Sequence, residues 1–135
     1  IINPMKPTNQ ELIERAKNAA QNAHIPYFDF PVGAAVETNT GEIFLGCNID
    51  NASTGLGMCA ERTAIFNAVT NGHKKFNRIA VSCIKGNINK TETLMPCGAC
   101  RQVMAEFMSP EAEVIVNGAG VFKLKDLLPS AFKLN

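Results

Sequence analysis

The chain has 135 residues, 46% of them hydrophobic, and a formal net charge of +1. This length predicts a single domain over residues 1–135 with a hydrophobic core that needs no disulfides. The lysines are scattered apart from Lys74-Lys75, so no basic stripe is available for nucleic acid. No apolar run approaches the roughly 20 residues that span a bilayer. The first four residues lack the features of a secretory signal, and Met5 is the expected natural start.

Helical and strand-like patterns alternate along the chain. Thr8 and Glu11 form a capping-box pair ahead of apolar residues at helical spacing. Asn39-Thr40-Gly41 is typical of a turn between two strands of a hairpin. Pro110 is expected to stop the third helix. In chain order, the predicted elements are helix 9–23, strands 32–38 and 42–48, helix 59–71, strand 78–84, helix 97–108, strands 113–117 and 121–123, and a helical turn over 124–128.

Strands separated by helices of about a dozen residues predict an α/β fold. We expect a three-layer α/β/α sandwich, with a mixed five-stranded sheet and helices on both faces. In such sheets ligands collect where helix starts meet the carboxyl ends of strands. The two cysteine motifs of this chain both begin predicted helices, so a site is expected there.

Three cysteines predict a zinc site: Cys59 in Cys-Ala-Glu, and Cys97 and Cys100 in Pro-Cys-Gly-Ala-Cys. Structural zinc sites have four protein ligands, whereas catalytic sites have three and keep one position for water. Three motif cysteines therefore favour a catalytic site. A helix N-terminus lowers the pKa of a thiol, which helps cysteine to bind metal as thiolate.

The two other cysteines, Cys47 and Cys83, lie in apolar, strand-like runs and are expected to be buried thiols, with a disulfide between them as the alternative. Either of them, or His24 or His73, is a candidate fourth ligand if the zinc is structural. Reduced, metal-binding cysteines are typical of the cytoplasm.

Two charged residues follow Cys59. Glu61 leaves the helix start in another direction than the ligand, so it can reach a metal-bound water and act as a general base. Its ordinary interpretation is a first-turn glutamate favoured by the helix dipole. Arg62 is expected to donate hydrogen bonds to the thiolates, which offsets the formal −1 charge of Zn²⁺ with three thiolates. The alternative for Arg62 is a surface ion pair.

These motifs have the form shared by zinc-dependent deaminases of nucleobases. Together with further segments they resemble the cytidine deaminase family, in particular its small homotetrameric type with three cysteine ligands. The similar segments are Tyr27, 30–35, 46–52, 59–65, 96–102 and 127–132. The resemblance implies the cytidine deaminase-like fold, a Zn²⁺ cofactor and a homotetramer. It also implies hydrolytic deamination of cytidine or deoxycytidine to the uridine nucleoside and ammonia, a step of pyrimidine salvage.

The resemblance also implies residue roles. A zinc-activated water attacks C4 of the ring, and Glu61 carries its proton to N3 and then toward the leaving amino group. Backbone groups near Ala60 hold the base, Phe30 lies over the pyrimidine, and Phe132 reaches a neighbouring subunit's site. By spacing alone, core positions are favoured for both phenylalanines.

The segment from Asn48 to Ala52 corresponds to the family's grip on the ribose 3′-hydroxyl, which uses an asparagine and a glutamate. In this chain the residues are Asn48 and Asp50, and the shorter acid needs an inward loop or a bridging water. The next residues, 53–57 with Thr54, lack the aromatic that is usual in the family. Asn48 and Asp50 are alternatively only turn-forming residues.

Two other functions are open on the sequence. One is deamination of a modified cytosine nucleoside, as in the related blasticidin S deaminases, because a rearranged sugar site can redirect specificity strongly. The other is a structural zinc module without catalysis, which requires a fourth protein ligand. Whether the loop 85–96 closes over substrate is also open.

Overall fold

The computed structural model describes residues 6–135. The expected start at Met5 lies outside the described residues. Within the described range, the helices and strands are as follows. In chain order they are α1 (Asn9–Ala20), β1 (Val32–Thr38), β2 (Ile43–Cys47), α2 (Ala60–Thr70), β3 (Phe76–Cys83), α3 (Gly98–Phe107), β4 (Met108–Val116), β5 (Gly120–Lys123) and α4 (Leu124–Leu127), with 3-10 turns at Thr54–Leu56 and Thr91–Thr93.

The five strands form one mixed sheet in the order β2-β1-β3-β4-β5. β3 and β4 are parallel, and the other neighbouring pairs are antiparallel. A parallel pair needs a crossover connection, which here runs through α3. The start of α3 is therefore carried to the end of the sheet where β3 finishes. The predicted mixed five-stranded sheet is confirmed.

Helices cover both faces of the sheet. On one face, Leu12 and Ala16 of α1 pack against three inward residues of the central strands, Ala35, Ala80 and Ile115. The other face forms the larger core with α2, α3 and α4, and it includes Ala34, Val36, Ala64, Ile65, Ile79, Val81, Met104, Val114 and Leu124. Successive strand residues point to opposite faces, which explains why Ala34 and Ala35 belong to different cores. The three-layer α/β/α arrangement is thus confirmed.

The predicted end of the first helix and the predicted start of the fourth strand are wrong. α1 ends at Ala20 instead of residue 23, because the chain turns so that His24 pairs with Ile49. The third helix ends at Phe107, and β4 begins at the next residue and continues through Pro110. Proline is tolerated within a strand at a bulge, and the β3–β4 register does shift in this region.

One buried ion pair fixes the beginning of α1 to the sheet. The Glu37 side chain is fully buried in β1 and accepts from Arg78 Nε at 2.8 Å and Nη2 at 2.6 Å. Arg78 also donates to the Pro7 carbonyl oxygen and to Asn9 Oδ1. The carboxylate is thus matched by its charge partner, as a buried acid requires.

No helix among the described residues is long and apolar enough to cross a membrane.

Gly33 lets α1 lie directly on β1. A Cβ atom at this position would overlap the carbonyl oxygen of Ala16 and crowd the amide of Ala20. The close packing of α1 on the sheet therefore requires glycine at position 33. Gly46 of β2 allows the same close approach for α2, since a Cβ there would overlap backbone atoms of Ala64.

We expect Gly33→Ala to lower the free energy of unfolding by at least about 2 kcal/mol, because the helix must move away from the sheet. Chemical denaturation followed by circular dichroism measures this change. Gly55→Ala is the matched control, because nothing lies within 4 Å of the Cβ position at Gly55. Equal stability of the two variants would contradict the close contact.

Candidate active site

The starts of α2 and α3 bring three cysteine sulfurs together. Cys59 is the N-cap residue of α2, Cys97 is the N-cap residue of α3, and Cys100 lies buried in the first turn of α3. The Cys59 and Cys97 sulfurs are 3.8 Å apart, and the Cys97 and Cys100 sulfurs are 3.5 Å apart. All three lie within 4.8 Å of one another. Both helix N-termini thus direct partial positive charge toward the thiols.

The sulfur geometry fits zinc. With Zn–S bonds of about 2.3 Å, two thiolates in a tetrahedral site lie about 3.8 Å apart, close to the observed separations. Within residues 6–135, the metal-binding cluster contains these three cysteines alone. His73 instead lies 3.1 Å from the Glu42 carboxylate, and His24 pairs with Ile49. The fourth protein ligand that a structural zinc module needs is therefore not found in the described part of the chain.

Cys47 and Cys83 are free thiols. They lie on β2 and β3, where they pair with Gly33 and Val32 of β1 between them. Two strand spacings amount to roughly 10 Å, which is too far for a disulfide. The alternative disulfide is therefore wrong, and burial raises the pKa of both thiols, that of Cys83 to about 12.

Arg62 stabilises negative charge on the sulfur cluster. Its Nη2 donates to Cys59 Sγ at 3.3 Å. The pKa of Cys59 falls to about 5, mainly through a hydrogen bond from the Cys100 thiol, with further lowering by Arg62 and Cys97. The pKa of Arg62 is raised in turn by its hydrogen bond to Cys59. The expected contact between Arg62 and a ligand thiolate is thus present, and the surface ion pair is not observed.

Glu61 lies in the first turn of α2 and is 4% exposed. Burial is the main cause that raises the pKa of its carboxyl to about 7, and the negative charge of Cys59 adds a smaller increase. A carboxyl group with a pKa near 7 can both accept and donate a proton at neutral pH. The position and the protonation behaviour of Glu61 therefore both suit a proton shuttle.

Cys59, Cys97 and Glu61 lie at one side of an open cavity of about 320 Å³. Its other lining residues come from the segment before β1, the loop after β2 and the loop before α3. They are Phe28, Phe30, Val32, Asn48, Ile49, Asp50, Thr54, Gly57, Met58, Ala60, Cys83, Thr93 and Met95. The volume suits a small ligand, and an apolar wall with a few polar groups is typical of such sites.

The structure brings together most of the predicted substrate-side residues. Phe30, Asn48, Asp50 and Ala60 line this cavity along with the metal cluster. Phe132 does not line it, and its side chain is 68% exposed near the end of the chain. The expected place of Phe132 in a neighbouring subunit's site depends on how subunits assemble.

Several lining residues were not predicted from the sequence. Phe28, Met58 and Met95 look like ordinary hydrophobic residues in loops, and only the fold turns them toward the metal cluster. Cys83 had a usable signal, because it ends β3 and ligands gather at the carboxyl ends of parallel strands.

The loop 85–96 is tied down at several points. Leu94 is 2% exposed, and its carbonyl oxygen accepts from Cys83 Sγ at 3.6 Å. The Thr93 hydroxyl donates to the Lys90 carbonyl oxygen, and Arg101 Nε donates to the Pro96 carbonyl oxygen at 2.8 Å. These contacts hold residues 93–96, the end of the loop that leads into Cys97.

The fold and the cysteine site define a zinc-binding deaminase. The family model described as the cytidine and deoxycytidylate deaminase zinc-binding region matches residues 6–116. The chain belongs to this family, and its cluster of Cys59, Cys97 and Cys100 lies within the matched zinc-binding region and fits zinc.

The chain is similar to cytidine deaminases along most of its length. It is 42% identical over 128 residues to a cytidine deaminase of Sporosarcina psychrophila, and the alignment covers 91% of this chain and 90% of the relative. It is 43% identical over 130 residues to a probable cytidine deaminase of Dictyostelium discoideum, covering 92% and 86%. The crystal structure of cytidine deaminase from Burkholderia pseudomallei superposes with a TM-score of 0.83 at 47% identity, covering 93% of this chain and 100% of that one. A blasticidin-S deaminase of Bacillus cereus is more distant, at 28% identity over 135 residues, 94% of this chain and 96% of that protein.

We expect the purified protein to contain one zinc per chain, and Cys100→Ala to lose most of it, because removing one of three thiolates leaves too few ligands. Metal analysis by mass spectrometry measures the ratio. Cys47→Ala is the matched control, because Cys47 lies outside the metal cluster. Full zinc content in Cys100→Ala would contradict the three-cysteine site.

Proposed function

We propose that this protein deaminates cytidine and deoxycytidine hydrolytically, producing the uridine nucleoside and ammonia. The observation that carries the proposal is the buried Glu61 carboxyl beside three zinc-binding cysteines on the wall of a nucleoside-sized cavity. The named cytidine deaminases among its relatives support the same reaction. Such a reaction serves pyrimidine salvage. The free state of all five cysteines supports a cytoplasmic location.

Cys59, Cys97 and Cys100 would hold Zn²⁺, which would supply the Lewis acidity that activates a water for attack on C4 of the cytosine ring. Glu61 accepts a proton from this water and donates it to ring N3. The C4–O bond forms as N3 is protonated. Glu61 then takes the remaining proton from the hydroxyl on C4 and gives it to the amino nitrogen, so that C4=O forms, the C4–N bond breaks, and ammonia leaves while N3 keeps the first proton. Burial of Glu61 suits both transfers, because it brings the carboxyl pKa to about 7.

The cavity walls suit a nucleoside. Phe30 lies against the base, and backbone groups near Ala60 hold its polar edge. Asn48 and Asp50 lie on the sugar side, with Thr54. Among the described residues that line the cavity, none is Lys, Arg or His, so nothing there matches a phosphate. This supports a nucleoside over a nucleotide as the substrate.

We expect Glu61→Gln to keep its zinc and its fold but to lower kcat by about 10²- to 10⁴-fold, because the amide cannot carry a proton. The loss of absorbance on conversion of cytidine to uridine measures turnover. Glu14→Gln, on the exposed face of α1, is the control and should retain full activity. Undiminished turnover in Glu61→Gln would exclude the proposed proton shuttle.

A nucleoside panel separates this proposal from the modified-nucleoside alternative. Cytidine and deoxycytidine should be turned over, and deoxycytidylate should be a poor substrate. Blasticidin S as the preferred substrate would replace cytidine, because the sugar-side residues Asp50 and Thr54 then select another group. Absence of turnover with every member of the panel, in zinc-loaded protein, would favour the structural zinc module.

We propose that the protein assembles as a homotetramer in which Phe132 completes a neighbouring subunit's site. Apolar side chains near the chain end support contact with another subunit, since Phe132 is 68% and Leu134 is 88% exposed. Gln102 Nε2 donates to the Phe132 carbonyl oxygen at 3.1 Å, which holds this segment against α3. The ring itself is left available for a partner.

Phe132→Ala should lower kcat/KM by about 3- to 10-fold, because one aromatic contact with substrate is lost while the backbone anchor to Gln102 stays. In a coexpressed mixture of Phe132→Ala and Glu61→Gln chains, activity per Glu61-containing chain should exceed that of Phe132→Ala alone, because part of the intact Glu61 sites then receive an intact Phe132 from the other chain. Light scattering measures the assembly. An active monomer, or no recovery in the mixed assembly, would contradict the shared site.

A further inference from the structure

A tight turn over residues 25–29 leads the chain into the cavity wall ahead of β1. The Asp29 amide donates to the Ile25 carbonyl oxygen at 3.2 Å, which closes the turn. Asp29 has a φ of 49°, in the left-handed region that residues other than glycine rarely adopt. A conformation of this kind persists where surrounding contacts hold it in place.

Asp50 supplies such contacts from the loop after β2. Its Oδ2 accepts from the Phe28 amide at 3.1 Å and from the Tyr27 amide at 3.4 Å. These two amides lie in the middle of the turn, where a carboxylate serves the same role as a side chain that caps a helix start. Asp50 therefore joins two loops that are more than 20 residues apart in the sequence.

The neighbouring contacts hold the two ends of the same segment. At one end, the Asp50 amide donates to the His24 carbonyl oxygen at 2.6 Å. At the other end, Asn48 Nδ2 donates to the Phe30 carbonyl oxygen at 2.7 Å, and Asn48 Oδ1 accepts from the Val32 amide at 2.9 Å. Between these points, the Asp50 carboxylate accepts from two backbone amides of the turn, whereas Lys85 Nζ contacts only the Asp29 side chain, at 2.6 Å.

Two aromatic rings depend on this turn for their position. Phe28 and Phe30 both line the cavity, and Phe28 is 62% exposed, so core packing does not fix it. A ring on an exposed turn is placed by the backbone that carries it. The hydrogen bonds to Asp50 Oδ2 therefore help to set the positions of these two rings in the cavity wall.

We propose that Asp50 is a positioning residue, which caps the 25–29 turn and so holds Phe28 and Phe30 against the bound nucleoside. It contributes to substrate binding through this turn, since its Oδ2 is shared by the two amides. Cytosine nucleosides that lack the 3′-hydroxyl therefore also benefit from Asp50. This inference rests on the proposed nucleoside deamination.

The test crosses variants of Asp50 with three substrates: cytidine, 2′-deoxycytidine and 3′-deoxycytidine. Asp50→Ala should lower kcat/KM about tenfold for all three, mainly through KM, because a hydrogen-bonded charge has been lost from the turn. Asp50→Asn keeps an acceptor oxygen and should show a smaller loss, again equal for the three nucleosides. Asp126→Ala, at an exposed position in α4, is the matched control.

A loss that disappears with 3′-deoxycytidine in either variant would overturn the proposal, because it would show that Asp50 binds the hydroxyl directly. Unchanged kcat/KM in Asp50→Ala would overturn it as well.

Amide hydrogen exchange tests the cap without any substrate. The Tyr27 and Phe28 amides should exchange about tenfold faster in Asp50→Ala than in the wild type, and Asp126→Ala should show no change. Unchanged exchange at both amides would overturn the cap. Wild-type protein that deaminates none of the three nucleosides would instead contradict the proposed function and the substrate part of this inference, while the exchange rates would still decide the cap.

Discussion

The site depends on the meeting of two helix starts within one zinc coordination sphere. Cys59 and Cys97 are 38 residues apart in the chain, yet their sulfurs are 3.8 Å apart. Tetrahedral zinc tolerates little deviation from such a spacing. The sheet therefore has to place α2 and α3 accurately, and the close contacts of the fold serve this purpose. Gly46 lets β2 touch the first turns of α2, and Arg101 fixes the Pro96 carbonyl oxygen just ahead of α3.

Charge sets the second requirement on the same cluster. Zn²⁺ with three thiolates carries a formal charge of −1, which opposes the acidification of a bound water. The hydrogen bond from Arg62 to Cys59 and the two helix N-termini offset this charge. Glu61 responds in the opposite way, since burial and the nearby thiolate raise its pKa. Arg62 thus favours the thiolate form of Cys59, while the neighbouring Glu61 carboxyl can hold a proton.

The helix that follows Cys59 was predicted more accurately than the ends of the elements around it. Residues 59–71 have clear helical periodicity and a glycine at the end, and α2 matches the prediction within one residue. The sequence did not predict that β4 follows α3 without a loop. Local sequence marks Pro110 only as a residue that ends a helix, and its place at a strand bulge depends on pairing with β3. The end of α1 was missed for a similar reason, since a distant bridge between His24 and Ile49 stops it.

Long-range hydrogen bonds explain why Asp50 was difficult to interpret from the sequence. An aspartate in a polar loop suggests either a turn residue or a ligand contact, and local sequence cannot separate the two. In the fold, Asp50 Oδ2 accepts from amides that are 22 and 23 residues away. A carboxylate whose oxygen is shared by two backbone donors is held in place, which limits how far it can follow a substrate. The metal cluster and Glu61 thus depend on the starts of α2 and α3, whereas another part of the cavity wall is shaped by how Asp50 and Asn48 join residues 25–30 to the loop after β2.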